Sequence, residues 1–153
     1  MVMQEKILVE AIKEGTVIDH IPAGQGMTIL RLFKLAQLGE RVTIGFNLTS
    51  KDHGFKDLIK IEHVHFSDKQ ANQLALLAPK ATVNVIENFG VVKKLQLELP
   101  ETIEDIFSCP NSNCASHTEP VKSFFYVKQT SKGTRLKCKF CAKGFSREIV
   151  SEH

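Results

Sequence analysis

Four cysteines, Cys109, Cys114, Cys138 and Cys141, all lie in the last third of this 153-residue chain. They form two close pairs, Cys109-x4-Cys114 and Cys138-x2-Cys141, with 23 residues between them. Two tight turns that each offer two thiolates supply the tetrahedral set of soft ligands that zinc prefers. Pro110, Asn111, Ser112 and Asn113 are turn formers in the first loop, and Gly144 is placed to let the chain leave the second. A disulfide framework is the competing reading. Against it, Met1-Val-Met-Gln-Glu-Lys enters charged sequence at once and has no apolar signal-peptide core, so the chain reads as cytoplasmic with reduced thiols. A redox Cys-x-x-Cys would leave Cys109 and Cys114 without a purpose. With four thiolate ligands no open position remains at the metal, so one structural Zn2+ per chain is expected, with no catalysis at it. A region of roughly 50 residues rarely stabilises itself by apolar burial alone, which makes the metal a folding requirement.

Composition changes where the cysteines begin. Residues 121–147 hold eight basic side chains (Lys122, Lys128, Lys132, Arg135, Lys137, Lys139, Lys143 and Arg147) and no acid. Half of the ten Phe also fall after residue 100. Leu99-Pro100-Glu101 interrupts an alternating run, since a Pro cannot continue a strand ladder. Two domains are therefore expected, 1–100 and 101–153. The whole chain carries only +3, too mild to declare a nucleic-acid or membrane partner, and no apolar run approaches the ~18 residues of a membrane span.

The first domain reads as strands interleaved with two helices. Lys6–Lys13 and Gly15–Ile21 read as strands, followed by an amphipathic helix from Gly26 to about Leu38. Arg41–Leu48 and Asp57–His65 alternate as strands do. Ser67-Asp-Lys-Gln70 has the form of a capping box and opens a helix running to Pro79. Thr82–Asn88 and Val91–Leu97 close the domain as two strands with Gly90 between them. This order predicts an α+β fold: a mainly antiparallel sheet with both helices on one face, ferredoxin-like. A small all-β, zinc-ribbon-like domain follows it.

Polar residues interrupt these strands at Glu10, Asp19-His20, Lys60, Asn84 and Lys93-Lys94. Each alone is an ordinary solvated strand face. Together they offer the cations, carboxylates and amides that a phosphorylated ligand with a hydrogen-bonding base requires. His63 and His65 share a strand face but lack a third metal ligand. Gly24-Gln-Gly26 lacks the third glycine of a dinucleotide fingerprint and reads as a turn. No Ser/His/Asp set, paired-carboxylate motif or phosphate loop is evident.

Several segments in order resemble the regulatory chain of bacterial aspartate carbamoyltransferase, and the resemblance covers essentially the whole chain. They are Val9-Glu-Ala-Ile12, Gly15-Thr-Val-Ile-Asp-His-Ile-Pro22, Asp57-Leu-Ile-Lys-Ile-Glu62, Ala81-Thr-Val-Asn84, Cys109-Pro-Asn-Ser-Asn-Cys114 and Leu136-Lys-Cys-Lys-Phe-Cys141. The resemblance implies a non-catalytic subunit of pyrimidine biosynthesis whose first domain binds CTP as inhibitor, with UTP, and ATP as activator. It implies a zinc domain that grips the catalytic chain, in a holoenzyme of two catalytic trimers bridged by three regulatory dimers. By the same resemblance Val9, Glu10, Ala11 and Ile12 meet the base, and Asp19 and His20 lie near the ribose and phosphates. Lys60 and Lys94 pair with the sugar and phosphate end, while Asn84, Ile86 and Val91 line the pocket. Asn111, Asn113, Glu119, Lys139 and Lys143 match positions that contact the catalytic chain. Two positions depart from the family pattern: Phe89 stands where a Tyr is familiar, and Ala142 where a Glu is familiar.

The competing class is a zinc-ribbon nucleic-acid binder, suggested by the basic 121–147 stretch and its Phe124-Phe-Tyr126 cluster. A standalone enzyme is the third reading, and the missing catalytic constellation opposes it.

Overall fold

The structure is a computed structural model and describes residues 11–51 and 54–151. Residues 6–10 of the expected first strand, 6–13, lie outside these residues, and 11–13 are not in a strand. Gly15–Pro22 forms β1, Gly26–Leu32 α1, Val42–Thr49 β2 and Phe55–Glu62 β3. Asp68–Leu74 forms α2, followed by β4 (Thr82–Glu87) and β5 (Gly90–Leu95). The second sheet contains β6 (Thr102–Glu104), β7 (Phe124–Thr130), β8 (Gly133–Cys138) and β9 (Gly144–Ser146), and α3 (Arg147–Ser151) closes the described chain. Among the described residues no helix is long and apolar enough to cross a membrane.

The first sheet has the order β2-β3-β1-β4-β5, and every neighbouring pair is antiparallel. β1-α1-β2-β3-α2-β4 in that order is a split β-α-β arrangement, with β5 added as a hairpin. Its helix-covered face is set by the period-2 pattern. Ile18, paired with both Ile59 and Val83, shares one buried cluster with Ile29 of α1 and with Ala71 and Leu74 of α2. Both helices therefore lie on that face, as predicted.

Element ends differ from the sequence expectation for local reasons. α1 stops at Leu32 because Lys34 adopts a left-handed φ of 53°, and a 3-10 turn at Leu35–Gln37 replaces the expected continuation to Leu38. α2 opens on the expected capping box. Ser67 Oγ accepts from the Gln70 N–H at 3.2 Å, and Gln70 Oε1 accepts from the Ser67 N–H at 2.9 Å. It unwinds into a turn after Leu74, short of Pro79. The β4–β5 turn is made by Asn88 and Phe89, both left-handed, and Gly90 is the first residue of β5 rather than the turn. β5 ends at Leu95, before Pro100, and the Asn72 side chain then takes the Glu98 N–H at 3.0 Å.

β3 likewise ends at Glu62, so His63 and His65 share no strand face. His63, left-handed at φ 64°, sits 2.9 Å from Glu40, while His65 lies 3.6 Å from Glu14. The hydrogen bond and charge of Glu40 raise the His63 pKa above its ordinary 6.5. A raised imidazole pKa stabilises the fold below pH 6.5 and ceases to do so as pH rises through the folded-state value. NMR titration should find His63 titrating above 6.5, and Glu40→Gln should return it toward that value.

The two sheets are joined through a second apolar cluster. Leu32, the last residue of α1, and Leu76, in the turn after α2, pack with Ile103, Phe107, Phe125 and Val150 of the C-terminal part. Arg31 of α1 also donates to the Ser151 carbonyl at 2.9 Å.

Candidate effector and metal sites

The face of the first sheet that carries no helix gathers polar residues far apart in sequence. Register places Thr43, Lys60, Val17, Asn84 and Lys94 in one row across all five strands. A cavity of about 400 Å³ borders the row at the Asn84–Lys94 end and is also lined by Asp19, His20, Lys80 and Thr82. That volume lies in the ordinary range for small-molecule sites, roughly 300–1,000 Å³. Ala11 and Ile12 line a smaller cavity of about 200 Å³ with Arg41, Thr43, Glu62 and Phe89. Lys60 and Val17 stand between the two cavities in the row.

Asp19 and His20 owe their placement to an irregularity of β1. The register shifts between Ile18 and Ile21, and His20 takes a left-handed φ of 57°. The shift projects both side chains toward the cavity. Asp19 Oδ1 accepts from the His20 N–H at 2.6 Å and pairs with Lys56 at 2.9 Å, while His20 Nδ1 meets Thr82 Oγ1 at 3.2 Å. Asn84 Oδ1 is buried with no hydrogen-bond partner among the described residues. A buried amide oxygen left unpaired costs free energy, so a donor arriving there would be welcome.

Of the residues the resemblance nominates, Asp19, His20, Asn84 and Lys94 meet at the larger cavity and Ala11 and Ile12 at the smaller. Ile86 is buried beneath this end of the face and pairs with the half-exposed Val91, outside both cavities. Val9 and Glu10 lie outside the described residues. Lys56 and Lys80 add cations that the sequence did not single out, because nothing local distinguishes them from other surface lysines. Phe89, 64% exposed at the hairpin tip, borders the smaller cavity with a ring and no hydroxyl.

Beneath this face lies a group the sequence reading also missed. Asp57 is fully buried, and its carboxylate accepts from three backbone N–H groups: Gly24 at 3.0 Å, Gly26 at 2.9 Å and Asn47 at 3.0 Å. It ties the turn before α1 and the irregular middle of β2 to β3. Gly26 is required there, since an added Cβ would come within 2.9 Å of Asp57 Oδ2.

In the second sheet the four cysteine sulfurs lie within 4.8 Å of one another. Cys109 and Cys141 Sγ are 3.8 Å apart, and Cys114 and Cys138 Sγ 3.6 Å. Disulfide sulfurs would be about 2 Å apart, whereas ligands at ~2.3 Å on a tetrahedral ion stand about 3.8 Å from each other. The residues present thus fit a tetrathiolate metal centre. The knuckles are held by backbone bonds: Cys114 N–H to the Asn111 carbonyl at 3.0 Å, and Ala142 N–H to the Cys138 carbonyl at 2.9 Å. Asn111 Oδ1 accepts from the Asn113 N–H at 3.1 Å, and His117 Nε2 reaches the Cys109 carbonyl at 2.9 Å.

Burial pushes the Cys109 thiol up. Burial also opposes ionisation of Cys141, but the Lys143 N–H and the Asn111 side chain outweigh it and lower that thiol to about 7. Gly144 does not turn the chain out of the second knuckle. The left-handed residue is Ala142, at φ 62°, and Gly144 begins β9 opposite Lys137. Asn113, Glu119, Lys139 and Lys143 are exposed around this centre, and Asn111 is half-buried within its first loop.

The comparisons agree with a chain of two such parts. The family model described as the allosteric domain of the aspartate carbamoyltransferase regulatory chain matches residues 7–98, and that of its metal-binding domain matches residues 101–151. An aspartate carbamoyltransferase regulatory chain from Chromobacterium violaceum is 65% identical over 150 residues, 98% of this chain and 99% of the relative. Relatives of the same description from Aeromonas hydrophila and Neisseria meningitidis are each 60% identical, over 152 residues (98% and 99% of the two chains) and 147 residues (96% and 97%). With a metal-binding cysteine cluster beneath one sheet and a polar open face on the other, this chain belongs to the aspartate carbamoyltransferase regulatory chain family.

Proposed function

We propose that the chain is a non-catalytic regulatory subunit that binds CTP, with UTP, as inhibitor and ATP as activator on the open face of the first sheet. The observation that carries this is the row Lys60–Val17–Asn84–Lys94 beside a cavity holding Asp19 and His20. The lysines supply charge that every triphosphate shares. Asn84 and the backbone at Ala11 and Ile12 supply hydrogen-bonding groups that tell a cytosine from an adenine edge. Val9, Glu10, Ile86 and Val91 complete the pocket in this reading. The division of labour is 1–100 for the effector and 101–153 for a structural Zn2+ on Cys109, Cys114, Cys138 and Cys141.

The metal domain then docks the catalytic chain through Asn111, Asn113, Glu119, Lys139 and Lys143. Regulatory homodimers bridge two catalytic trimers, three dimers to a holoenzyme, in the cytoplasm. The effector signal passes from the sheet to the metal domain through the apolar contact of Leu32 and Leu76 with Phe107 and Val150. An effector that favours one global state over another needs a coupling of only ~1–3 kcal/mol to regulate.

Lys94→Ala, on an exposed strand, should fold normally and lower CTP and ATP affinity together by about tenfold, as befits loss of one charge-assisted phosphate contact. Isothermal titration of the full chain checks this. An unchanged affinity would remove Lys94 from the phosphate site.

A further inference from the structure

The second sheet has an outward face opposite the cysteines. Phe125, Leu136 and Cys138 point inward and are buried, so their neighbours along β7 and β8 point out. Register and one backbone bond set three rows there. Glu104, Phe124 and Lys139 form the first, Thr102, Tyr126 and Lys137 the second, and Lys128 and Arg135 the third. The face thus presents four cations and a single carboxylate.

Its aromatic residues are organised around one of the cations. Phe124 and Tyr126 pack edge to face with ring centroids 5.4 Å apart. Lys139 Nζ lies 4.9 Å from the Phe124 ring centre and 5.9 Å from that of Phe140. Such contacts hold an ammonium that would otherwise swing freely, and they reduce the side-chain entropy lost on docking. Tyr126 stays 39% exposed beside Lys137, an amphipathic ring of the kind that anchors protein interfaces.

We propose that this face, built on Phe124, Tyr126, Lys137 and Lys139, extends the surface by which the chain docks an acidic face of the catalytic chain. The inference rests on the reading above, in which Lys139 and Lys143 meet that chain, and it assigns Phe124 and Phe140 the positioning of Lys139, with Tyr126 bracing Phe124. A strand of nucleic acid is the less suited partner. Base stacking needs successive open rings, and here Lys139 lies over both Phe124 and Phe140, which leaves Tyr126 as the one open ring of the three.

The test is assembly of the full zinc-loaded chain with catalytic trimers, followed by sedimentation over a range of salt. Lys137→Glu should weaken assembly about tenfold at low salt, with the difference fading toward about 0.5 M as exposed charges are screened. Tyr126→Ser should weaken it at every salt concentration. Unchanged zinc content and circular dichroism exclude misfolding as the cause. If both variants assemble like the unaltered chain while Lys143→Glu does not, the extension is wrong and the docking reading stands. If the unaltered chain joins no trimers, both fall. Binding of poly(U) that Tyr126→Ser abolishes, with assembly untouched, would overturn the proposal in favour of single-stranded RNA.

Discussion

Stripping the metal, or replacing Cys138 by Ser, should unfold the second sheet. Three of the four cysteines belong to the same buried cluster as Phe107, Phe125 and Leu136, and Cys141 packs against it. The metal is therefore a cross-link through the middle of that core. Structural zinc of this type contributes on the order of 10 kcal/mol at neutral pH, more than a domain of this size retains from burial. Without the ion, four thiols must share a space about 4.8 Å across. Hydrogen exchange after chelation should show protection lost across β6–β9 and kept, though lowered, in β1, β3 and β4. The lowering arises because Leu32 and Leu76 lose their partners across the junction.

The same site fixes a pH dependence. Zinc binds thiolates, while burial favours the neutral thiol of Cys109 in the metal-free chain, so loading the metal expels protons. Apparent zinc affinity should fall as pH falls from neutral, which a competition titration against a chromophoric chelator would measure.

Asp57→Ala should cost about 3 kcal/mol of stability, the largest expected effect of a single substitution in the first sheet. The carboxylate is fully buried and satisfies three N–H groups from two separate segments. Truncation strands the buried Gly26 donor, at about 1–3 kcal/mol, and loses the part-buried bonds of Gly24 and Asn47, at roughly 1 kcal/mol or less each. Asp57→Asn should cost less. One amide oxygen can still serve Gly24 and Gly26 together, but the nitrogen would oppose the N–H of Asn47. Denaturant unfolding of both variants checks the order, and equal losses would contradict this account.

What the sequence disclosed, it disclosed through local chemistry. The cysteine pairs, the Ser67–Gln70 capping box and the alternating runs each carry their signal within a few residues. What it concealed depends on distant strands meeting. Lys56 and Lys80 look like any surface lysine until the register shift in β1 turns Asp19 and His20 toward them. Asp57 reads as one charge in an alternating strand, and only the bulged middle of β2 and the turn at Gly24 reveal why it is buried. Helix and strand ends were misplaced where non-glycine residues take left-handed backbone, as at Lys34, His63, Phe89 and Ala142. Side-chain pattern carries little information about those positions, since propensity alone would put Gly or Asn there.

In the proposed function the open face of the first sheet is one effector site shared by chemically opposed nucleotides. Isothermal titration of the zinc-loaded chain with CTP, followed by displacement with ATP, tests it most directly. CTP should bind saturably at one site per chain, with ATP competing for the same site and Lys94→Ala weakening both. CTP and ATP binding independently, or neither binding in the presence of catalytic trimers, would contradict it.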